Sequence, residues 1–241
     1  MQKDARKCPC CIGGFASHAR PIIDRYGWSW SLHTCHKCGV EYQARPMTPE
    51  ARKDFYTSGR YRKLCADVLQ KPWDSPEYLR MKQMEYAHRW SENINLALND
   101  LGAPGRWLDF GGSTGVVSDE WAFDDAAVVV ADWGDGAPVT PDGALDEPNA
   151  SYNTILCCQT LDHLAEPLAT LQQFRRLAKL NARLFVDVVK AAHTDYKLDH
   201  DTYYQSASIF LALVERAGWK TIWLDAETNP THYSVLAEAV V

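Results

Sequence analysis

Two Cys-x2-Cys pairs, Cys8 with Cys11 and Cys35 with Cys38, stand 23 residues apart. Each pair turns tightly enough to point two sulfurs the same way. Together they bring four thiolates to tetrahedral distance from one Zn²⁺. Gly39 follows Cys38 directly, and Gly13-Gly14 follow the first pair at a short distance. Cys10 and His36 lie inside the same knuckles and are alternative ligands. A site with all four positions filled by protein has no opening for substrate, so this zinc is expected to be structural.

A second group of residues suits a nucleoside. Arg106–Phe110 is a short apolar run that ends in Gly111-Gly112-Ser113-Thr114-Gly115. Glycines at a strand-to-helix turn let the backbone approach a ligand closely, and a helix start offers free N–H groups. Gly111, Gly112 and Gly115 are therefore candidate cofactor contacts, with Asp109 just before them. Asp132 ends the next apolar run, 23 residues beyond Asp109, where a carboxylate can take both hydroxyls of a ribose. Trp133 beside it offers a face for adenine. Gln159, at the end of the run Tyr152–Cys158, is a further cofactor candidate.

His163 follows closely, at the carboxyl edge of the sheet that these runs imply. Histidine titrates near neutrality, so a general base and a packing or hydrogen-bonding residue are equal readings there. His193 and His200 fall in the stretch Ala191–Thr202 on the same side. Lys197, Asp199, His200 and Asp201 line either an acceptor pocket or a solvated loop, the latter being the expectation for the two carboxylates. His200 and Tyr61 join His163 as catalytic candidates. Tyr56, Tyr61 and Arg62 suit a lid or a grip on an anionic acceptor.

The elements that carry these residues fall into three segments: 1–46, 47–101 and 102–241. The first is rich in Cys, His, Gly and aromatics and lacks a helical period. The second reads as helical. Thr48-Pro49-Glu50 is a helix start, Lys71–Pro76 a break, and Leu79, Met84, Ala87, Trp90, Ile94 and Leu98 recur at helical spacing to about Leu101. The third alternates strand and helix: apolar runs at Arg106–Phe110, Ala127–Ala131, Tyr152–Cys158 and Ala182–Lys190 predict a parallel sheet buried on both faces. Leu168, Leu171, Phe174, Leu177 and Leu180 predict one helix, and Tyr203–Ala217 another. Trp219–Leu224 and Tyr233–Val240 are joined by a turn too short for a crossover helix, so they should pair antiparallel.

At Asp109-Phe110-Gly111-Gly112-Ser113-Thr114-Gly115 the chain resembles class I S-adenosylmethionine-dependent methyltransferases, whose glycine motif is Asp/Glu-x-Gly-x-Gly-x-Gly. Ser113 stands at the middle glycine. Tyr152-Asn153-Thr154-Ile155-Leu156 is similar to the family's fourth strand, with Asn153 at the usual acid. Leu161-Asp162-His163-Leu164-Ala165-Glu166-Pro167 resembles its Leu-Glu-His-Val/Leu-x-Asp-Pro stretch, while Leu180-Asn181-Ala182 departs from the usual Pro-Gly-Gly. The resemblance covers about 102–241. It implies an α/β fold with a Rossmann-like seven-stranded sheet and a carboxy-terminal antiparallel hairpin, here behind a small zinc ribbon and a helical segment. It implies S-adenosylmethionine as cofactor and methyl transfer as activity. With the zinc-knuckle head, the chain also resembles bacterial methyltransferases of sugars and natural products, and a small-molecule acceptor is expected.

Two other functions are open. A basic ribbon in front of such a core suits an RNA base methyltransferase, and residues 1–65 carry a net charge of +7. The remainder carries −13, which disfavours a long phosphate track, and 159–162 lack the Asn/Asp-Pro-Pro motif of base-amine methylation. A non-catalytic protein on the same core is the other alternative, weakened by Asp109, Gly111, Gly115 and Asp132. No apolar stretch suits a membrane span, and Met1–Lys7 lack the apolar run of a secretory signal. A cytoplasmic, reducing location is therefore the expectation, with cysteines as thiols or metal ligands.

Overall fold

The computed structural model describes residues 6–11, 16–98, 105–132, 137–138, 145–193 and 200–240. The head forms β1 (Ala16–Ile23), β2 (Ser29–Cys35) and β3 (Glu41–Gln43), paired antiparallel in that order. Three helices follow: α1 (Pro49–Thr57), α2 (Arg60–Leu69) and α3 (Pro76–Leu98). Thr48 caps α1 by accepting from the Ala51 N–H, and Pro49 fills its first turn. The sequence reading had one helix before the Pro-rich break. The chain instead turns between α1 and α2 at Gly59, whose φ of +78° suits glycine.

The main sheet begins with β4 (Arg106–Phe110), α4 (Val116–Trp121), β5 (Ala127–Asp132), β6 (Ala137–Pro138) and β7 (Tyr152–Cys158). It continues through α5 (Pro167–Leu177), β8 (Ala178–Val189), α6 (Ala207–Arg216), β10 (Trp219–Asp225) and β11 (His232–Ala239), with β9 (Thr202–Tyr203) lying between β8 and α6. Its seven strands run in the order β10-β11-β8-β7-β4-β5-β6. β11 pairs antiparallel with both neighbours, and the remaining pairings are parallel. The predicted closing hairpin is this β10–β11 pair.

Period-two alternation explains why the parallel runs are apolar throughout. Leu108, Ile155, Leu184 and Val186 bury against Leu171 and Phe174 of α5 and Phe210 and Leu213 of α6. Their neighbours Trp107, Leu156 and Phe185 point the other way, into a cluster with Trp90 of α3 and Trp121 of α4. Leu180 is not part of α5 as the spacing suggested: it lies in β8 and is 60% exposed.

The helix predicted from Tyr203 starts at Ala207, where Ser206 caps it by accepting from the Ile209 N–H. Tyr203 is instead in β9, which pairs with β3 and so adds a fourth strand to the head's sheet (Glu41 opposite Tyr203, Tyr42 opposite Thr202). A two-residue strand paired across 160 residues of chain leaves no local pattern to read. The same apolar cluster that contains the sheet's core also contains Cys8, Cys11, Cys35 and Tyr42. Head and sheet therefore share a core.

Candidate cofactor and acceptor site

Cys8, Cys11, Cys35 and Cys38 come together as their spacing predicts, with all four sulfurs within 4.8 Å of one another. Cys8 and Cys38 are 3.6 Å apart and Cys11 and Cys35 3.5 Å. Each knuckle folds around its first sulfur: the Cys10 N–H donates to Cys8 Sγ and the Lys37 N–H to Cys35 Sγ, both at 3.4 Å. Gly39 holds φ +77°, which explains glycine after the second pair. Of the two alternatives, Cys10 contributes its backbone to this arrangement, and neither Cys10 nor His36 belongs to the four-sulfur group.

The glycine turn leaves β4 and enters α4. A Cβ on Gly111 would lie 2.1 Å from Thr160 Oγ1, and one on Gly112 would lie 2.3 Å from the Asp109 carboxyl. Gly111 and Gly115 have φ of +76° and +77°, and Ser113 joins them in the left-handed region at +53°. Serine at this position thus keeps the glycine-like backbone, at the cost an L-residue incurs there. The Ser113 N–H donates to Asp132 Oδ2 at 2.8 Å, which joins the turn to the end of β5.

Asp109 is buried beneath the turn and accepts from Ser118 Oγ at 2.8 Å. Burial pushes its carboxyl up to about 6, against the pull of that hydrogen bond. Gln159, at the end of β7, donates its N–H to the Asp187 carbonyl and sets its amide 3.1 Å from His232 Nε2. Trp133 lies outside the described residues.

Next to this turn, His163 and His200 face each other with ring centroids 4.2 Å apart. His163 is partly exposed and pairs its Nδ1 with the Tyr56 hydroxyl at 2.8 Å. His200 is buried, with Nδ1 3.3 Å from Asp162 Oδ2. Asp162 thus lies beside both histidines, a ligand atom of each of the three falling within 4.8 Å of the others. Tyr61 meets Tyr56 edge to face, ring centroids 4.9 Å apart, and so stands one ring away from His163. His193 is exposed and outside the cluster.

Asp201, expected in a solvated loop, is fully buried and ion-paired to Arg52 at 2.6 Å. Arg52, in α1, also donates to the His163 carbonyl. The sequence reading missed Arg52 entirely; a buried arginine in a short helix has no periodic signature. Lys197 and Asp199 lie outside the described residues. Among the described residues, no helix is long and apolar enough to cross a membrane.

Known proteins share the fold. A family model described as a methyltransferase domain matches residues 81–238. A 1,6-didemethyltoxoflavin-N1-methyltransferase from Burkholderia thailandensis, solved with 1,6-didemethyltoxoflavin and S-adenosylhomocysteine, superposes with a TM-score of 0.58. It shares 14% identity, over 95% of this chain and all of that one. A SAM-dependent methyltransferase from Aquifex aeolicus gives a TM-score of 0.49 at 17% identity, over 67% of this chain and 98% of that one. No curated protein matches the sequence.

Proposed function

The chain belongs to the methyltransferase-domain family, whose model spans residues 81–238, and from that membership we propose that it transfers the methyl group of S-adenosylmethionine to a small-molecule acceptor. The observation that carries the cofactor half is the join of Ser113 and Asp132. Left-handed residues at 111, 113 and 115 open the turn, and the Ser113 N–H fixes one oxygen of Asp132. A ribose would be held at this carboxylate, at the end of β5 beside the turn. Gly111 and Gly112 let Thr160 and the Asp109 carboxyl pack against the turn, and Asp109 supports it from beneath.

When bound, the cofactor supplies an electrophilic methyl on a sulfonium. The acceptor attacks in line, so the protein's work is alignment and removal of a proton. An acceptor that reacts through a hydroxyl or carbon acid would give up a proton, and His163 is the residue placed to take it. With Nδ1 turned to Tyr56, Nε2 is the nitrogen that takes it. His200 stands across the same space, oriented by Asp162. The ring cluster of Tyr56, Tyr61, His163 and His200 is the proposed acceptor end, and a small acceptor is in keeping with the small molecule bound by the Burkholderia protein.

The four cysteines hold a structural zinc. Zn–S bonds of about 2.3 Å in a tetrahedron put sulfurs roughly 3.8 Å apart, and the observed pairs are within a few tenths of that.

Calorimetry with S-adenosylhomocysteine tests the cofactor site. Asp132→Ala should weaken binding by roughly 1–3 kcal/mol, since buried ribose hydroxyls then lose their acceptor. Unchanged affinity would move the ribose elsewhere.

A further inference from the structure

The two histidines are held from outside the sheet. Arg52 lies in α1, and its guanidinium is buried at the junction of two separate chain segments. Nη2 donates to Asp201 Oδ2 at 2.6 Å, and Nη1 donates to the His163 carbonyl. The Asp201 N–H then donates to the Asp162 carbonyl at 2.8 Å. Segments 162–163 and 200–201 are thus closed into a circuit through a single guanidinium. The head secures the second segment from its other side: the Gln43 N–H donates to the Asp201 carbonyl at 3.0 Å, and Gln43 Nε2 to the His200 carbonyl at 2.8 Å.

We infer that Arg52 is a positioning residue for methyl transfer, setting the spacing between the His163 and His200 rings. A planar guanidinium presents its donors in a fixed fork, so two acceptors bound to it are fixed in angle and distance; an ammonium is a point charge that offers no such fork. The pair is poorly suited to a purely stabilising role. Desolvation of a buried ion pair often exceeds its attraction, and apolar replacement of both partners is commonly neutral. Burial indeed pushes the Asp201 carboxyl up in spite of Arg52. What the arginine adds that apolar groups would not is the bond to the His163 carbonyl, one peptide from the ring proposed to take the proton.

This inference rests on His163 and His200 forming the acceptor end. Its test is proton NMR of the full, metal-loaded chain with S-adenosylhomocysteine. The ring protons are assigned with His163→Gln and His200→Gln, and the nuclear Overhauser effect between the two rings is followed. The wild type should show that effect. Arg52→Lys keeps the charge for Asp201 and should weaken it. The Arg52→Met, Asp201→Leu pair leaves no buried charge and should abolish it, while melting temperature and S-adenosylhomocysteine affinity match the wild type. An unchanged ring-to-ring effect in the double variant overturns the inference. So does loss of folding or of cofactor binding in that variant, which would assign the pair to stability. If the wild type fails to bind S-adenosylhomocysteine, the cofactor reading falls instead, and the ring contact is measured in the free chain.

Discussion

Asp109 illustrates how a residue can be legible while its role is not. Its place before the glycines marks it as a cofactor contact, yet its carboxyl is buried beneath the turn and bonded to Ser118. A carboxyl held up to about 6 in the folded chain titrates above its unfolded value. It therefore favours folding below about pH 4, and that contribution is lost as pH rises through 6. Asp109→Asn does not titrate. Relative to it, the wild type should lose roughly 2 kcal/mol of stability between pH 4 and 7, at 1.36 kcal/mol for each pKa unit. Parallel denaturant titrations of the two proteins would reveal a flat difference if the carboxyl were ordinary. His163 makes a second case. His163→Ala should leave S-adenosylhomocysteine affinity intact while methyl transfer, assayed on an acceptor found by screening, falls about 10²–10⁴-fold. A joint fall of both would place His163 in the cofactor's surroundings. The sequence marked His163 and His200 by their position after strands, and Tyr61 as a residue of the helical segment suited to a lid. It could not show that Tyr56 and Asp162 are the partners, because those contacts cross 107 and 38 residues of chain.

At the scale of elements, local rules worked where the signal was local. Thr48-Pro49 predicted the start of α1, and the apolar runs predicted β4, β5, β7 and β8 to within a few residues, since strands buried on both faces have little choice of composition. Prediction failed at Gly59, a single residue that separates α1 from α2, and at β9, whose only strand partner among the described residues is the distant β3. The cap of α1 matters beyond the helix, because α1 carries both Arg52 and Tyr56. Thr48→Ala should cost about 1 kcal/mol, with Thr48→Ser close to neutral. Hydrogen exchange should show the loss confined to the first turns of α1. Uniform loosening of the chain would mean that tertiary packing, and not the cap, starts this helix.

For the whole molecule, the boundary that composition draws near residue 46 is not a boundary in packing. Four cysteines form the head's own centre, but β3 passes its outer edge to β9, Arg216 of α6 donates to the Cys10 carbonyl, and Tyr42 lies in the core that the sheet also fills. Gly39 packs against Ile209 of α6, where an added Cβ would meet it at 3.1 Å. Residues 1–65 carry +7 and the remainder −13; long-range pairing, which charge does not encode, packs the head against the segment that carries His200. The consequence is a selective effect of metal loss. Metal analysis should return about one zinc per chain. Stripping it with a chelator, or the Cys35→Ser, Cys38→Ser change, should unfold the knuckles and release β3 from β9. Backbone amides at 200–205 should then exchange faster, while those of β4, β5 and β7, buried in the centre of the sheet, stay protected. S-adenosylhomocysteine should bind the stripped chain with little change, because the Gly111–Asp132 turn is carried by β4, α4 and β5 and tied together by its own hydrogen bonds. Equal acceleration across both regions would show that the sheet itself depends on the metal. No acceleration at 200–205 would show that Arg52 and the sheet suffice to hold His200, with the head along for another purpose.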